Sequence, residues 1–167
     1  MKREKTISYK VFLFLLFTTI SFAQNTIRGQ IFDNEKIISP QRSYSNTFAY
    51  TDEPMYASAD VYFITKPTGY YLKFILAILN SKLIFTWLFH RGKRKGAMLE
   101  LYQEPLSQIP IIKNVNIEVQ NTIIILIDYI IYLKKLEKEN YIIEFFERII
   151  DIAVYELYFK EELHLKG

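Results

Sequence analysis

The spacing of apolar residues changes twice along the chain, and each change marks a shift in secondary structure. Residues 36–40 (Lys36-Ile37-Ile38-Ser39-Pro40), 46–50 and 59–64 are short β-branched or aromatic runs, separated by Asp33-Asn34, Pro40 and Asp52-Glu53-Pro54. Runs of that length between turn formers predict strands. Over residues 68–90 the spacing becomes helical. Tyr71, Phe74, Ile75, Ile78 and Leu79 share one stripe, and Leu83, Trp87 and Leu88 resume it after Asn80-Ser81. Asn80 or Ser81 suits the cap of a second helix, because a short polar side chain accepts one of the first unpaired backbone N–H groups.

Arg91-Gly92-Lys93-Arg94-Lys95-Gly96 then reads as a basic loop and residues 98–102 as another short strand. Pro105 and Pro110 stiffen what reads as an irregular connection. Two helices close the chain. Ile123, Leu126, Ile127, Ile130 and Leu133 recur at helical spacing, and Ile142, Phe145, Phe146, Ile149, Ala153 and Leu157 repeat the pattern beyond Lys138-Glu139-Asn140. The isoleucine-rich stretch is interrupted by Asp128 and is too short to span a membrane. The pattern predicts an α+β class: a small mixed β-sheet module with helices, followed by two antiparallel C-terminal helices. The boundaries fall at 1–24, 25–114 and 115–167.

The first of those segments has a texture of its own. Lys2, Arg3, Lys5 and Lys10 precede an apolar run at 11–23 that ends in Ser21-Phe22-Ala23, the small-x-small pattern of a cleavage site. These are the three parts of a secretory signal peptide. The run is shorter than the roughly 20 residues that cross a bilayer as a helix, so no stable membrane span is expected. The competing reading is a buried strand or helix of a larger domain.

Composition narrows the chemistry. The formal net charge of +3 is already accounted for by the first ten residues, where four cations face Glu4 alone. The remaining chain is neutral overall, so bulk basicity says nothing about nucleic acid, and any such case must rest on local clusters. Cysteine is absent from the 167 residues, which excludes disulfides, thiolate zinc sites and cysteine nucleophiles. His90 and His164 are the only histidines and lie far apart, which argues against a histidine-based metal site.

Arg91, Lys93, Arg94 and Lys95 form the densest cluster of charge, with Gly92 and Gly96 allowing close backbone approach to a partner. Phosphate oxygens are the natural counter-charge, the competing use being a solvated loop. Gln41-Arg42-Ser43 after Pro40 presents an amide, a guanidinium and a hydroxyl, and Gln and Arg are side chains that read base edges bidentately. A plain surface turn is the bland alternative. Asp60 reads as a structural hydrogen-bonding carboxylate and His90 as a cation suited to a helix end. No Gly-x-Gly-x-x-Gly, Walker-type loop, Gly-x-Ser-x-Gly, His-Glu-x-x-His or Asn-Pro-Pro-Tyr sequence occurs.

The order of the pieces is more specific than any one of them. Lys36-Ile37-Ile38-Ser39-Pro40-Gln41-Arg42-Ser43, Tyr56-Ala57-Ser58-Ala59-Asp60-Val61-Tyr62, Ile78-Leu79-Asn80-Ser81-Lys82-Leu83, Lys93-Arg94-Lys95-Gly96, Glu100-Leu101-Tyr102, Pro105-Leu106 and Ile109-Pro110-Ile111 follow one another. This succession resembles the TaqI-like C-terminal specificity domain of adenine-specific DNA methyltransferases and of type IIG restriction-modification enzymes. The ending Ile150-Asp151-Ile152-Ala153-Val154-Tyr155-Glu156-Leu157-Tyr158 looks like the closing helix of those proteins, so that the likeness runs over residues 28–165.

The resemblance implies a target-recognition module at 25–114 that lies against double-stranded DNA, with 115–167 as a helical spacer. Gln41, Arg42, Ser43, Ser81, Lys82, Arg91, Lys93, Arg94 and Lys95 are the residues it implies for DNA contact. Family members carry S-adenosylmethionine and an Asn-Pro-Pro-Tyr motif in a catalytic domain, so no cofactor and no catalytic residue is expected in this chain. The expected reading is a specificity module, a fragment without its own catalytic domain, working in the cytoplasm. Two alternatives stand beside it: the specificity subunit of a split methyltransferase, partnered by a separate catalytic subunit, and an exported structural or interaction protein, which the signal-like start supports.

Overall fold

Residues 36–43 organise the β portion of the computed structural model by serving two sheets in succession. The structure describes residues 31–163, except 57–59, 66, 68 and 139. Expectations for the segment at 1–24 lie outside the described residues. The elements in order are β1 (Ile31–Phe32), β2 (Lys36–Pro40), β3 (Arg42–Ser43), β4 (Ala49–Thr51), β5 (Met55–Tyr56), β6 (Val61–Ile64), α1 (Leu72–Asn80), α2 (Lys82–Arg91), β7 (Arg94–Lys95), β8 (Met98–Glu100), α3 (Gln103–Ser107), α4 (Ile117–Lys135), α5 (Asn140–Tyr158) and α6 (Lys160–Leu163).

β2 is the centre of the first three-stranded sheet, ordered β4-β2-β6, with Ile37 opposite Tyr50 on one side and Ile64 on the other. The chain then steps sideways at Gln41, whose N–H donates to the Asp60 carbonyl at 2.8 Å and whose carbonyl accepts from the Leu101 N–H at 2.8 Å. That step delivers β3 to a second sheet, ordered β3-β8-β7. Every pairing in the two sheets is antiparallel, and with the helices this is an α+β arrangement.

One feature of β2 has no sequence signal. Lys36 is fully buried, its Nζ donating to the carbonyls of Asn34 at 2.9 Å and Glu53 at 2.6 Å and lying 5.9 Å from the Phe63 ring centroid. A buried ammonium is tolerated only when its donors are met, and here backbone oxygens meet them.

The helical layer is built round α1. Leu72, Phe74, Ile75, Leu76, Ala77, Ile78 and Leu79 are all buried, a belt much wider than the single stripe expected from spacing, whereas Tyr71 is the exposed N-cap. Ser81 breaks the helix as expected: its Oγ donates to the Ile78 carbonyl at 2.7 Å and accepts from the Ile84 N–H at 3.3 Å, closing α1 and opening α2 together. α2 turns Ile84 and Leu88 inward instead of Leu83 and Trp87, which are half-buried.

α4 packs on α1 through Ile123, Ile127, Ile130 and Leu133, close to the expected stripe. In α5 the phase differs: Ile143, Ile150 and Val154 are buried, whereas Phe145 is 58% exposed. α5 carries apolar residues on two opposite sides, and spacing alone cannot choose which side meets the core. Pro105 also departs from expectation. It sits in the short helix α3, in the first turn, where its missing N–H has no helical partner to lose.

The described residues from Phe32 onward form one compact unit. No single helix among them is long and apolar enough to cross a membrane, and the apolar pair α1 and α2 is bent by 65°.

Candidate nucleic-acid interface

The expected basic loop is a β-hairpin. Arg94 pairs with Leu99 and Lys95 with Met98, leaving Gly96 and Ala97 as a two-residue turn. Gly96 has φ of 63°, the left-handed value that the first central position of a type II′ turn requires. Gly92 caps α2 just before the hairpin, and a Cβ there would stand 2.6 Å from the Leu88 carbonyl oxygen. Glycine is therefore needed at both ends of the basic segment, for two different reasons.

β8 joins the two clusters that the sequence singled out separately. Its other edge pairs with β3, setting Arg42 opposite Glu100 and Ser43 opposite Leu99. Ser43, Leu99 and Arg94 thus stand in one row across the sheet, from segments about fifty residues apart in sequence. Leu99, 1% exposed, and Leu101, fully buried, root the sheet in the core, and the buried Ser39 hydroxyl ties it to the first sheet by donating to the Leu101 carbonyl at 2.9 Å.

The cations differ in how far they are already satisfied. Arg42 Nε approaches Glu100 Oε1 at 3.4 Å. Lys93 Nζ donates to Glu104 Oε2 at 2.9 Å and lies 5.5 Å from the Tyr102 ring centroid. Hydrogen bonding to Tyr102 and Glu104 holds the Lys93 ammonium well above its usual range, and Lys93 in turn holds the Glu104 carboxyl below its own. Arg94 has no carboxylate partner among the described residues; its guanidinium lies 4.3 Å from the Phe89 ring centroid, which orients the charge without neutralising it. Arg91 and Lys95 are exposed and make no ion pair with any described residue. The hairpin and the adjoining end of α2 therefore offer three cations, Arg91, Arg94 and Lys95, without an ion-pair partner among the described residues.

Ser81 and Lys82 are placed elsewhere. Ser81 is 1% exposed and spent on the helix junction. Lys82 donates its backbone N–H to Asp151 Oδ1 at 2.8 Å and pairs through Nζ with Asp151 Oδ2 at 3.4 Å. Both border a groove of about 930 Å³ lined by residues 45–50 together with residues of α1, α4 and α5, among them Ile127 and Ile130. The resemblance groups them with the hairpin; Ser81 caps the α1–α2 junction, and the Lys82 side chain is 71% exposed beside Asp151 of α5.

Sequence reasoning missed two features near the site. Asn46 donates to the carbonyls of Leu79 and Ser81 at 2.7 and 2.9 Å, and Asn80 exchanges two 3.0 Å bonds with the backbone of Phe48, so that two asparagines fix the loop after β3. Tyr62 and Tyr102, with ring centroids 6.4 Å apart, line a second hollow of about 420 Å³ with Gln103, Glu104 and Ser107. Of these residues only Asn80 carried a signal in the sequence, as a helix-cap candidate. His90, in the last turn of α2, touches the Phe89 ring edge at 5.2 Å, a helix-end position as expected. No cluster of three or more metal-ligating side chains occurs among the described residues.

The pattern of the TaqI-like C-terminal specificity domain matches residues 5–111, well over half of the chain. The chain belongs to that family. The match takes in both halves of the β3-β8-β7 sheet. Its limits redraw those suggested by the ordered motifs: the basic start and apolar run before residue 28 fall largely inside it, and α4 and α5 fall outside. Two curated relatives, the type II methyltransferases M.HincII of Haemophilus influenzae and M.HindII of a second strain of that species, are each 35% identical to this chain over 65 residues. The aligned stretch is 38% of this chain and 13% and 12% of theirs, so the chain matches about an eighth of the length of these relatives.

Proposed function

We propose that this TaqI-like module binds duplex DNA through the β7-β8 hairpin and the adjoining β3 edge, and supplies target recognition to an adenine-specific methyltransferase of a restriction-modification system. The observation that carries the reading is the sheet itself. One central strand sets Gln41, Arg42 and Ser43 beside Arg94 and Lys95, and Arg91, Arg94 and Lys95 have no ion-pair partner among the described residues.

A two-stranded ribbon is of a size that the major groove admits. In this reading Arg91, Arg94 and Lys95 meet phosphates and fix the register, while Gln41 and Arg42 stand nearest the base edges. Arg42 and Lys93 keep their carboxylate partners until phosphate replaces them. S-adenosylmethionine and methyl transfer belong to a catalytic domain or a separate subunit, as the methyltransferase names of the two partial relatives suggest. The work is cytoplasmic, alongside the genome.

Fluorescence anisotropy with a labelled duplex tests the proposal. Binding that weakens linearly in log affinity against log salt, with a slope of about −0.9 for each phosphate contact, is expected. Absence of binding at low salt would overturn it. Mass spectrometry of the N-terminus from cells tests the compartment: a mature chain beginning after Ala23 would restore the export reading.

A further inference from the structure

The pairing register sorts the side chains of the β3-β8-β7 sheet onto two faces. Residues directly opposite one another in an antiparallel pair point to the same side, and successive residues of a strand point to opposite sides. Ser43, Leu99 and Arg94 form one row, and because Leu99 is 1% exposed that row faces the core. Arg94 conforms, its guanidinium lying over the Phe89 ring of α2. The rows on either side face outward. One holds Lys95 and Met98. The other holds Arg42, Glu100 and Lys93, since Arg42 pairs with Glu100 and the Glu100 N–H donates to the Lys93 carbonyl at 2.9 Å.

Glu100 is therefore the central residue of an outward row, and it is the only carboxylate on the three strands of this sheet. A negative charge there opposes phosphate, so attraction to the DNA backbone does not account for it. Its neighbours position it without saturating it. Lys93 takes Glu104 as its carboxylate, and Arg42 Nε reaches Oε1 of Glu100 at 3.4 Å. Oε2 has no hydrogen-bond partner among the described residues, and the side chain is only 16% exposed. Once Arg42 turns to the DNA, the carboxylate is covered and without a donor, which is costly unless the DNA supplies one.

The bases differ in what they supply. In the major groove guanine shows two acceptors and thymine an acceptor and a methyl group; adenine sets its N7 acceptor beside the N6 amine, whereas cytosine shows an amine alone. We propose that Glu100 is a specificity-determining residue, accepting a hydrogen bond from the N4 amine of a cytosine in the recognised duplex. The inference rests on the DNA reading above and deepens it: the cations hold the module on the duplex, and Glu100 discriminates because any base that offers it an acceptor leaves it buried and unpaired.

Selection of bound duplexes from a randomised pool at low salt tests this with the full chain. The wild type should select cytosine at one position, and Glu100→Gln should move that position toward adenine, whose N6 and N7 a carboxamide meets bidentately. A second measurement changes the DNA instead of the protein. Exchanging that cytosine for 2-pyrimidinone, which lacks the amine, should weaken wild-type binding about tenfold and leave the affinity of Glu100→Ala unchanged. A Glu100→Gln chain that still selects cytosine, or a wild type indifferent to loss of the amine, would overturn the inference and leave the DNA reading standing. Binding without base preference would do the same. A Glu100→Gln affinity that shifts equally on every sequence would also overturn it, reducing Glu100 to a support for Arg42. A wild type that binds no duplex at low salt would overturn the DNA reading and this inference together.

Discussion

The β3-β8-β7 sheet and the helical layer treat their side chains in opposite ways. Among the paired residues of the sheet only Leu99 is buried, while Arg42, Arg94 and Lys95 stay exposed. In α1 nearly every side chain is buried, and the Asn80 side chain at its end is spent on the backbone of Phe48. Strands of two or three residues cannot hold themselves together, so the sheet is anchored by Leu99 and Leu101 to a core that the helices provide. The difference separates two properties that single mutations usually confound: stability resides in the helices, and charge available to a partner resides in the hairpin.

Substitutions should divide along the same line. Phe74→Ala empties a fully buried position in α1, and equilibrium urea unfolding should show a loss of about 3–5 kcal/mol, with the DNA affinity of the folded fraction unchanged. Ser81→Ala is the sharper case, because the ordered motifs placed Ser81 among the DNA contacts and the structure makes it a cap. A loss of about 1–2 kcal/mol with intact affinity is expected; the reverse result would return Ser81 to the interface.

Alkaline pH provides a milder probe of the helical side. Tyr158 donates to the Pro110 carbonyl at 2.7 Å and accepts from the Ile112 N–H at 3.2 Å, and burial holds its phenol above the usual 10.0. The unfolded chain therefore ionises first, and stability should fall as pH rises past 10.0. Tyr158→Phe should flatten that part of the pH profile of unfolding. The smallest effect is expected at the hairpin's edge. Glu104→Gln frees the Lys93 ammonium and should tighten duplex binding by a few-fold at low salt, an advantage that vanishes as salt screens the charge.

Much of this was legible in the residues, and the exceptions share a cause. Strand runs at β2 and β6, the break at Ser81 and the two closing helices follow from period and capping, which are local. Arg94 and Lys95 stood out by charge and Gln41-Arg42-Ser43 by turn chemistry, yet nothing local shows that β8 would bind them into one sheet. The burial of Lys36 and the loop locks made by Asn46 and Asn80 depend on carbonyls distant in sequence. The phase error in α5 has a different origin. Two apolar sides compete there, and Phe145 and Ile152 lie on the side that the core leaves bare.

The most direct test of the central claim compares the salt dependence of duplex binding for the wild-type chain and for Arg94→Ala with Lys95→Ala. Loss of two phosphate-neutralising cations should reduce the slope of log affinity against log salt by about 1.8, with an unfolding midpoint close to that of the wild type. An unchanged slope in a folded double variant would contradict the assignment of the hairpin to DNA.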